Sequence, residues 1–207
     1  MLKPTPRRND PSMLKDELAS AFLTTRAFKW DPASGFKLAS GITSPYYVDC
    51  RALMAYPGPR QLVARLAYET LRGLEFDAIG GLEIGAIAIA TAISDYAYRA
   101  QPQREWRTFV VRKEAKDHGL RKVIDGAIVA GDRALIVDDV LTSGGSVIKA
   151  VRSAREAGLK VSHALVIVDR NEQDGRARIE EQQVTLLSLL TIADLTALSP
   201  RPPGTRS

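Results

Sequence analysis

The feature that most restricts the fold is a set of unbroken aliphatic runs, each followed by polar residues and then by a helix-like segment. "RALIVDD" (133–139) and "VSHALVIVDR" (161–170) show this most clearly, with "FDAIGG" (76–81) and "RTFVVRK" (107–113) as shorter versions. A strand with one wet face alternates apolar and polar residues, whereas a strand covered by helices on both faces does not. Between the runs, "RQLVARLAYETLRGL" (60–74), "GAIAIATAISDYA" (85–97) and "SVIKAVRSAREAG" (146–158, closed by Gly158) have helical spacing, and "VTLLSLLTIADL" (184–195) ends the series. The order predicts an α/β domain, a mostly parallel sheet flanked by helices, with ligands outside the carboxyl ends of its strands.

The first fifty residues do not follow this pattern. "SMLKDELASAFLTTRAF" (12–28) reads as a helix with Ser12 as N-cap, and "FKLASG" and "SPYYVDC" read as two short strands around a Gly41 turn. The expected organisation is a loose tail over 1–11, a small N-terminal hood with the first helix over 12–56, an α/β core over 57–198 and a loose tail over 199–207. The net charge of +5 admits nucleic acid or a small polyanion as partner. About four of those charges lie in the two ends (Lys3, Arg7, Arg8, Arg201 and Arg206 against Asp10), so the total does not decide between them. No apolar run reaches the ~18 residues of a membrane span. The basic start "MLKPTPRRND" lacks the apolar stretch of a secretory signal. The lone Cys50 has no partner for an internal disulfide, fits a reducing compartment, and reads as a half-buried structural thiol.

The chemistry concentrates in "ALIVDDVLTSGGS" (134–146). The aliphatic run delivers Asp138 and Asp139 to its carboxyl end, and Thr142, Ser143, Gly144, Gly145 and Ser146 turn the chain into a helix. Backbone N–H groups at a helix start, with glycines that permit close approach, suit an anion. Two carboxylates beside such a turn suit hydroxyls or a metal, and a sugar phosphate meets both demands. A nucleotide P-loop and a G-x-G-x-x-G fingerprint are both missing. A bare helix N-terminus would account for one acid but not for two.

This stretch resembles the phosphoribosyl pyrophosphate (PRPP) motif of the type I phosphoribosyltransferases, in which hydrophobics, two acids and a small-residue turn follow one another. "RKEAKDHG" (112–119) resembles the mobile catalytic loop of the orotate phosphoribosyltransferase family, and "GFKLASGITSPYYVDCR" (35–51) resembles its pyrimidine-covering hood. The resemblance covers about residues 14–195 and implies the type I phosphoribosyltransferase fold. It also implies a magnesium-dependent reaction of orotate with PRPP that gives orotidine 5′-monophosphate and pyrophosphate.

The resemblance assigns roles as follows. Asp138, Asp139, Val140, Leu141, Thr142, Ser143, Gly144, Gly145 and Ser146 would bind PRPP, together with Glu83 and Gly85 of "GGLEIGAIAIA" (80–90). Arg112, Lys113, Lys116 and His118 would neutralise the departing pyrophosphate, acting from a loop over 112–131 that reaches a neighbouring subunit of a homodimer. Arg170 would hold the orotate carboxylate, since a guanidinium matches a carboxylate bidentately, although an Arg170 salt bridge to Glu172 or Asp174 is the plainer reading. Thr142, Ser40, Gly41, Tyr46 and Tyr47 would complete the orotate pocket. Mg²⁺ would ride on the PRPP diphosphate, without a protein metal site. The implied setting is the cytoplasm, with no membrane or nucleic-acid partner. The chain has no room for a decarboxylase domain, so a monofunctional form is expected.

Two positions depart from the family. Ile84 and Ala39 stand where many members carry lysines, which removes two cations that commonly contact PRPP. His163, within an aliphatic run, reads as a core or edge histidine rather than a ligand. A phosphoribosyltransferase for another base, or a PRPP-sensing nucleic-acid-binding regulator on the same fold, stays open on these residues. The intact "KEAKDHG" favours an enzyme.

Overall fold

The computed structural model describes residues 10–37, 41, 43–114 and 123–198. In chain order the elements begin with α1 (Pro11–Thr24), β1 (Phe28–Trp30), β2 (Phe36–Lys37), β3 (Thr43–Ser44), β4 (Tyr46–Val48), α2 (Cys50–Ala55) and α3 (Pro57–Thr70). They continue with β5 (Ala78–Leu82), α4 (Gly85–Ala100), β6 (Arg107–Val111), β7 (Ile124–Gly126), β8 (Arg133–Leu141) and α5 (Gly145–Glu156). The chain closes with β9 (Lys160–Asp169), α6 (Gly175–Glu180), β10 (Thr185–Thr191) and α7 (Ile192–Leu198).

Among the described residues, six strands form one sheet in the order β10-β9-β8-β5-β6-β7. All pairs are parallel except β6 with β7. Sequence order runs one way from β5 to β6 and the other way from β8 to β10, so the direction reverses between β5 and β8. A crevice opens at such a reversal, outside the carboxyl ends of the strands.

Strand alternation explains the unbroken runs. Leu135 and Val137 share a core with α1, α3 and α4, whereas Ala134 and Ile136 share a second core with α5, and all four are at most 1% exposed. Each face of β8 meets a helical layer, so neither needs polar residues. Truncating such a side chain costs roughly 2–5 kcal/mol, so β8 is held rigidly under the site it presents.

Several expectations change at the N-terminal side. The cap of α1 is Asp10, whose Oδ1 accepts from the Ser12 backbone N–H at 3.0 Å and from its hydroxyl at 2.8 Å. Pro11 takes the first helical position, where its missing N–H costs nothing, and Ser12 comes second. The helix therefore includes Pro11 of the expected tail and stops at Thr24, before β1 pairs with β4. Among the described residues, the expected hairpin around Gly41 sets Phe36 opposite Ser44 and Lys37 opposite Thr43. Pro45, which has no N–H to donate, breaks the second strand, and Tyr46–Val48 pairs with Phe28–Trp30 instead. Asp49 caps α2 through the Ala52 N–H, so Asp49 and Cys50, expected at the end of a strand, open a helix instead. The first helix is also not walled off from the core, because Leu14, Leu18 and Phe22 pack in the cluster that holds Leu66 and Ile79.

Candidate active site

The crevice at the sheet reversal is a cavity of about 440 Å³. It brings together Glu83, Ile84 and Gly85 after β5, Asp138–Val140 of β8, Thr142, Ser143 and Ser146 of the turn, Lys113, Tyr47 and Arg170. A smaller hollow lies beside it, formed by Asp138 and the turn from Val140 to Val147.

β8 runs further than the sequence suggests. It pairs with β9 as far as Leu141 opposite Asp169, so both aspartates lie inside the strand and not beyond it. Alternation then sends the two carboxylates to opposite sides. Asp138 follows Ala134 and Ile136 and joins the hollow of the turn. Asp139 follows Leu135 and Val137 and faces Gly85, where an added Cβ would lie 3.1 Å from the Asp139 carboxyl carbon. Leu141 is buried at 2% exposure, and Val140 packs partly against the core. Their part in the site is therefore to carry the backbone, and the Leu141 carbonyl accepts from the Arg170 N–H at 3.1 Å.

Burial and the neighbouring Asp139 push the Asp138 carboxyl up to about 7. Its Oδ1 accepts from the Asp139 N–H at 2.9 Å, which opposes the rise without cancelling it. The pair thus holds a proton near neutrality and can release it when positive charge arrives nearby.

The turn itself is Thr142–Gly144, ending in Gly144 with φ +76°, a left-handed backbone suited to glycine. The helix α5 has no side-chain cap, and its first intrahelical bond runs from Ile148 N–H to Gly144 O. The N–H groups at its start are left for a ligand to meet.

Arg170 is 5% exposed. Its Nη2 donates to Ser44 Oγ at 2.6 Å and to the Tyr46 carbonyl at 3.2 Å, and its Nε donates to Glu172 at 3.0 Å. Ser44 Oγ also donates to Glu172 at 3.1 Å. The salt bridge to Glu172 is present, yet the arginine is a buried tie between β9 and the hood strands that lines the cavity, not a surface residue. Of the two tyrosines only Tyr47 lines the cavity, leaning on Phe36 with Lys29 over its ring. Tyr46, on the other side of β4, packs against Phe28 and Trp30.

The basic segment divides. Lys113 lines the cavity, with its N–H on Glu83 Oε1 at 2.9 Å. Arg112 turns instead to Asp125 at 2.6 Å, tying the end of β6 to β7. Lys116, His118 and Ser40 lie outside the described residues, as does Ala39, whereas Gly41 is described and has φ +84°. The departure at Ile84 is plain: its side chain is 72% exposed. Cys50 is fully buried at 1% exposure, more than expected, with Sγ 3.7 Å from the Asp139 carbonyl. Burial, and then the nearby carboxylates, push its thiol up, so it stays an inert thiol. His163 sets its ring edge-on to Phe76 and Nδ1 to the Ser162 hydroxyl, away from the cavity.

Sequence reasoning missed Gln173, Gly175 and Arg178, and took Glu172 only as a salt-bridge partner of Arg170. Gln173 sits at the cavity wall and Glu172 pairs with Arg170 and Ser44, in a segment where Asn171, Gln173 and Asp174 all have φ between +50° and +55°. The Asp174-Gly175 pair was a turn signal; nothing in the sequence pointed to Arg178.

A parallel sheet with an acid pair and a small-residue turn at its reversal defines a phosphoribosyltransferase, and the model of the phosphoribosyl transferase domain matches residues 52–192. An orotate phosphoribosyltransferase of Aquifex aeolicus is 37% identical over 88% of this chain and 98% of its own length. The chain belongs to the orotate phosphoribosyltransferase family. Uridine 5′-monophosphate synthase of Bos taurus is 33% identical, and the match takes 89% of this chain but 37% of that protein. Among solved structures, the Mycobacterium tuberculosis orotate phosphoribosyltransferase in complex with PRPP superposes with a TM-score of 0.69 at 30% identity, covering 88% of this chain and 92% of that one. The same enzyme in complex with Fe(III) dicitrate gives 0.73 at 34% identity, over 88% and 98% of the two chains.

Proposed function

We propose that this protein transfers ribose 5-phosphate from PRPP to orotate, releasing pyrophosphate and forming orotidine 5′-monophosphate on the route to the pyrimidine nucleotides. The observation that carries the reading is one cavity holding both aspartates, the small-residue turn and Arg170. A sugar phosphate and a planar carboxylate fit its two ends.

In this reading the turn from Thr142 to Ser146 anchors the 5′-phosphate, and Asp138 and Asp139 hold the ribose hydroxyls. The bond from ribose C1 to the diphosphate oxygen breaks as a bond to the orotate ring nitrogen forms, and the proton of that nitrogen passes to the departing pyrophosphate or to water. Positive charge grows on the ribose while C1 is between partners. The carboxylates of the aspartate pair meet that charge. Arg170 orients orotate through its carboxylate, with Tyr47 beneath the ring. Lys113, Lys116 and His118 neutralise the departing pyrophosphate, and Arg112 steadies the base of their segment through Asp125.

Among the described residues no group of three or more His, Cys, Asp and Glu is placed to hold a metal ion. A carboxylate pair beside a polyphosphate is nonetheless a setting that suits Mg²⁺ bound largely by substrate oxygens, with Asp138 and Asp139 the residues within reach. Carried on the diphosphate, Mg²⁺ would neutralise its charge as it leaves.

A homodimer is supported by the outer face of α4. Ile84, Ile87 and Tyr98 are 72%, 42% and 52% exposed along one stripe, and Tyr56 beside α2 is 53% exposed. That patch borders Asp139 through a groove formed by Cys50, Met54, Ile84, Ala88 and Ile89, and we read it as the face a second copy would cover. No described helix is long and apolar enough to cross a membrane. We place the reaction in the cytoplasm, in keeping with the unpaired Cys50.

The test follows the ultraviolet absorbance of orotate with purified protein, PRPP and Mg²⁺, omitting each in turn. Loss of absorbance that requires PRPP and Mg²⁺ supports the reading. No loss with orotate, alongside conversion of another base, replaces it.

A further inference from the structure

The phosphate turn is short, glycine-rich and uncapped, so something behind it must fix its shape. That support is α6. Thr142, Ser143 and Gly144 all rest on it. Gly175 packs so tightly on the Thr142 carbonyl that no Cβ fits between them. Arg178 Nη1 donates to the Ser143 carbonyl at 2.7 Å. A Cβ on Gly144 would lie 3.0 Å from the Gly175 carbonyl and 3.2 Å from Ile179 Cγ1. α6 is itself bolted to the sheet, because Arg176 pairs with the buried Asp169 at 2.8 Å and donates to the Leu186 carbonyl at 2.9 Å.

Arg178 lines a separate cavity of about 620 Å³ on the outer side of α5 and α6, with Lys149, Arg152, Glu156 and Glu181. It lines neither hollow on the substrate side. The larger cavity lacks the acid pair and the turn's hydroxyls, so size does not make it the reaction site. Its meaning is that Arg178 pulls on the turn from behind. A trans peptide is planar, with its C=O and N–H pointing in opposite directions. Drawing the Ser143 carbonyl outward therefore aims the Gly144 N–H inward.

We propose that Arg178 is a positioning residue for PRPP: by holding the Ser143 carbonyl from outside, it presets the turn's N–H groups for the 5′-phosphate without touching the substrate. The proposal rests on the reading of the cavity given above. Without Arg178 the turn can rotate that peptide, and the phosphate must pay to restore it. Loss of one charge-assisted hydrogen bond corresponds to roughly a tenfold weaker fit.

The test measures PRPP binding by calorimetry, and steady-state kinetics for both substrates, in wild type, Arg178→Met, Arg178→Lys and Glu181→Ala. Arg178→Met should weaken PRPP binding and raise its KM about tenfold, with KM for orotate and the melting temperature little changed. Arg178→Lys, which keeps a donor and the charge, should recover most of the loss. Glu181→Ala, which removes a negative charge from the same outer cavity, should leave PRPP binding as it was. Were Arg178 only a distant positive charge, Glu181→Ala would tighten binding. Unchanged KM for PRPP in Arg178→Met, or equal loss for both substrates together with a falling melting temperature, overturns the positioning role. Wild type that binds no PRPP overturns the reading of the cavity itself and the proposal with it.

Discussion

Asp138→Asn should make the protein more stable and less active. Burial first, and the Asp139 charge second, raise the Asp138 carboxyl from 3.8 to about 7 in the folded chain. The folded state then binds the proton more tightly than the unfolded state, so stability falls as pH rises between about 4 and 7. Above that window the ionised pair costs up to about 4 kcal/mol, taking 1.36 kcal/mol for each tenfold change in proton affinity. Asparagine still accepts from the Asp139 N–H and never ionises, so it escapes this cost. Urea unfolding at equal protein concentration should show wild type and Asp138→Asn close together near pH 4. By pH 8.5 the variant should lead by roughly 2–4 kcal/mol. The same substitution should lower turnover, because the neutral amide cannot stabilise a cationic ribose. Equal stabilities at pH 8.5, or a gap that widens toward acid, would refute the reasoning.

Arg170→Ala should raise KM for orotate at least tenfold, as one strong ionic hydrogen bond is lost, and should also destabilise the fold by removing the buried guanidinium that donates to Glu172 and Ser44. Arg170→Lys should recover little, because one ammonium cannot replace the guanidinium fork that spans Glu172, Ser44 and the Tyr46 carbonyl. Gly85→Ala should push the Asp139 carboxylate by a few tenths of an ångström, cutting kcat/KM for PRPP by roughly three- to tenfold while urea midpoints barely move. Lys116→Ala should cut turnover far more than it weakens orotate binding; unchanged turnover would remove the loop from the mechanism.

The parallel core was legible because both faces of β8 and β9 are buried, and that leaves unbroken aliphatic runs in the sequence. The acid pair and the turn were legible because their chemistry sits on nine consecutive residues. Less visible was that the two acids face opposite sides, although extending the period-2 pattern of Leu135 and Val137 through Asp139 would have shown it. The hood strands were misjoined because Pro45 and the Asp49 cap act on single residues inside a strand-like run. The Arg170–Ser44 tie spans 126 residues, and the Arg178–Ser143 bond 35, so each exists only once the sheet brings α6 and the hood to the crevice. Ile84 looked like a missing cation; in the fold it heads the apolar stripe of α4.

The most direct measurement is a crystal structure of the protein with PRPP bound. The account predicts the 5′-phosphate on the N–H groups of the turn from Thr142 to Ser146, the ribose hydroxyls on Asp138 and Asp139, and the diphosphate beside Glu83 and Gly85. PRPP seated in the outer cavity by Lys149 and Arg152, or with its ribose away from both aspartates, would contradict it.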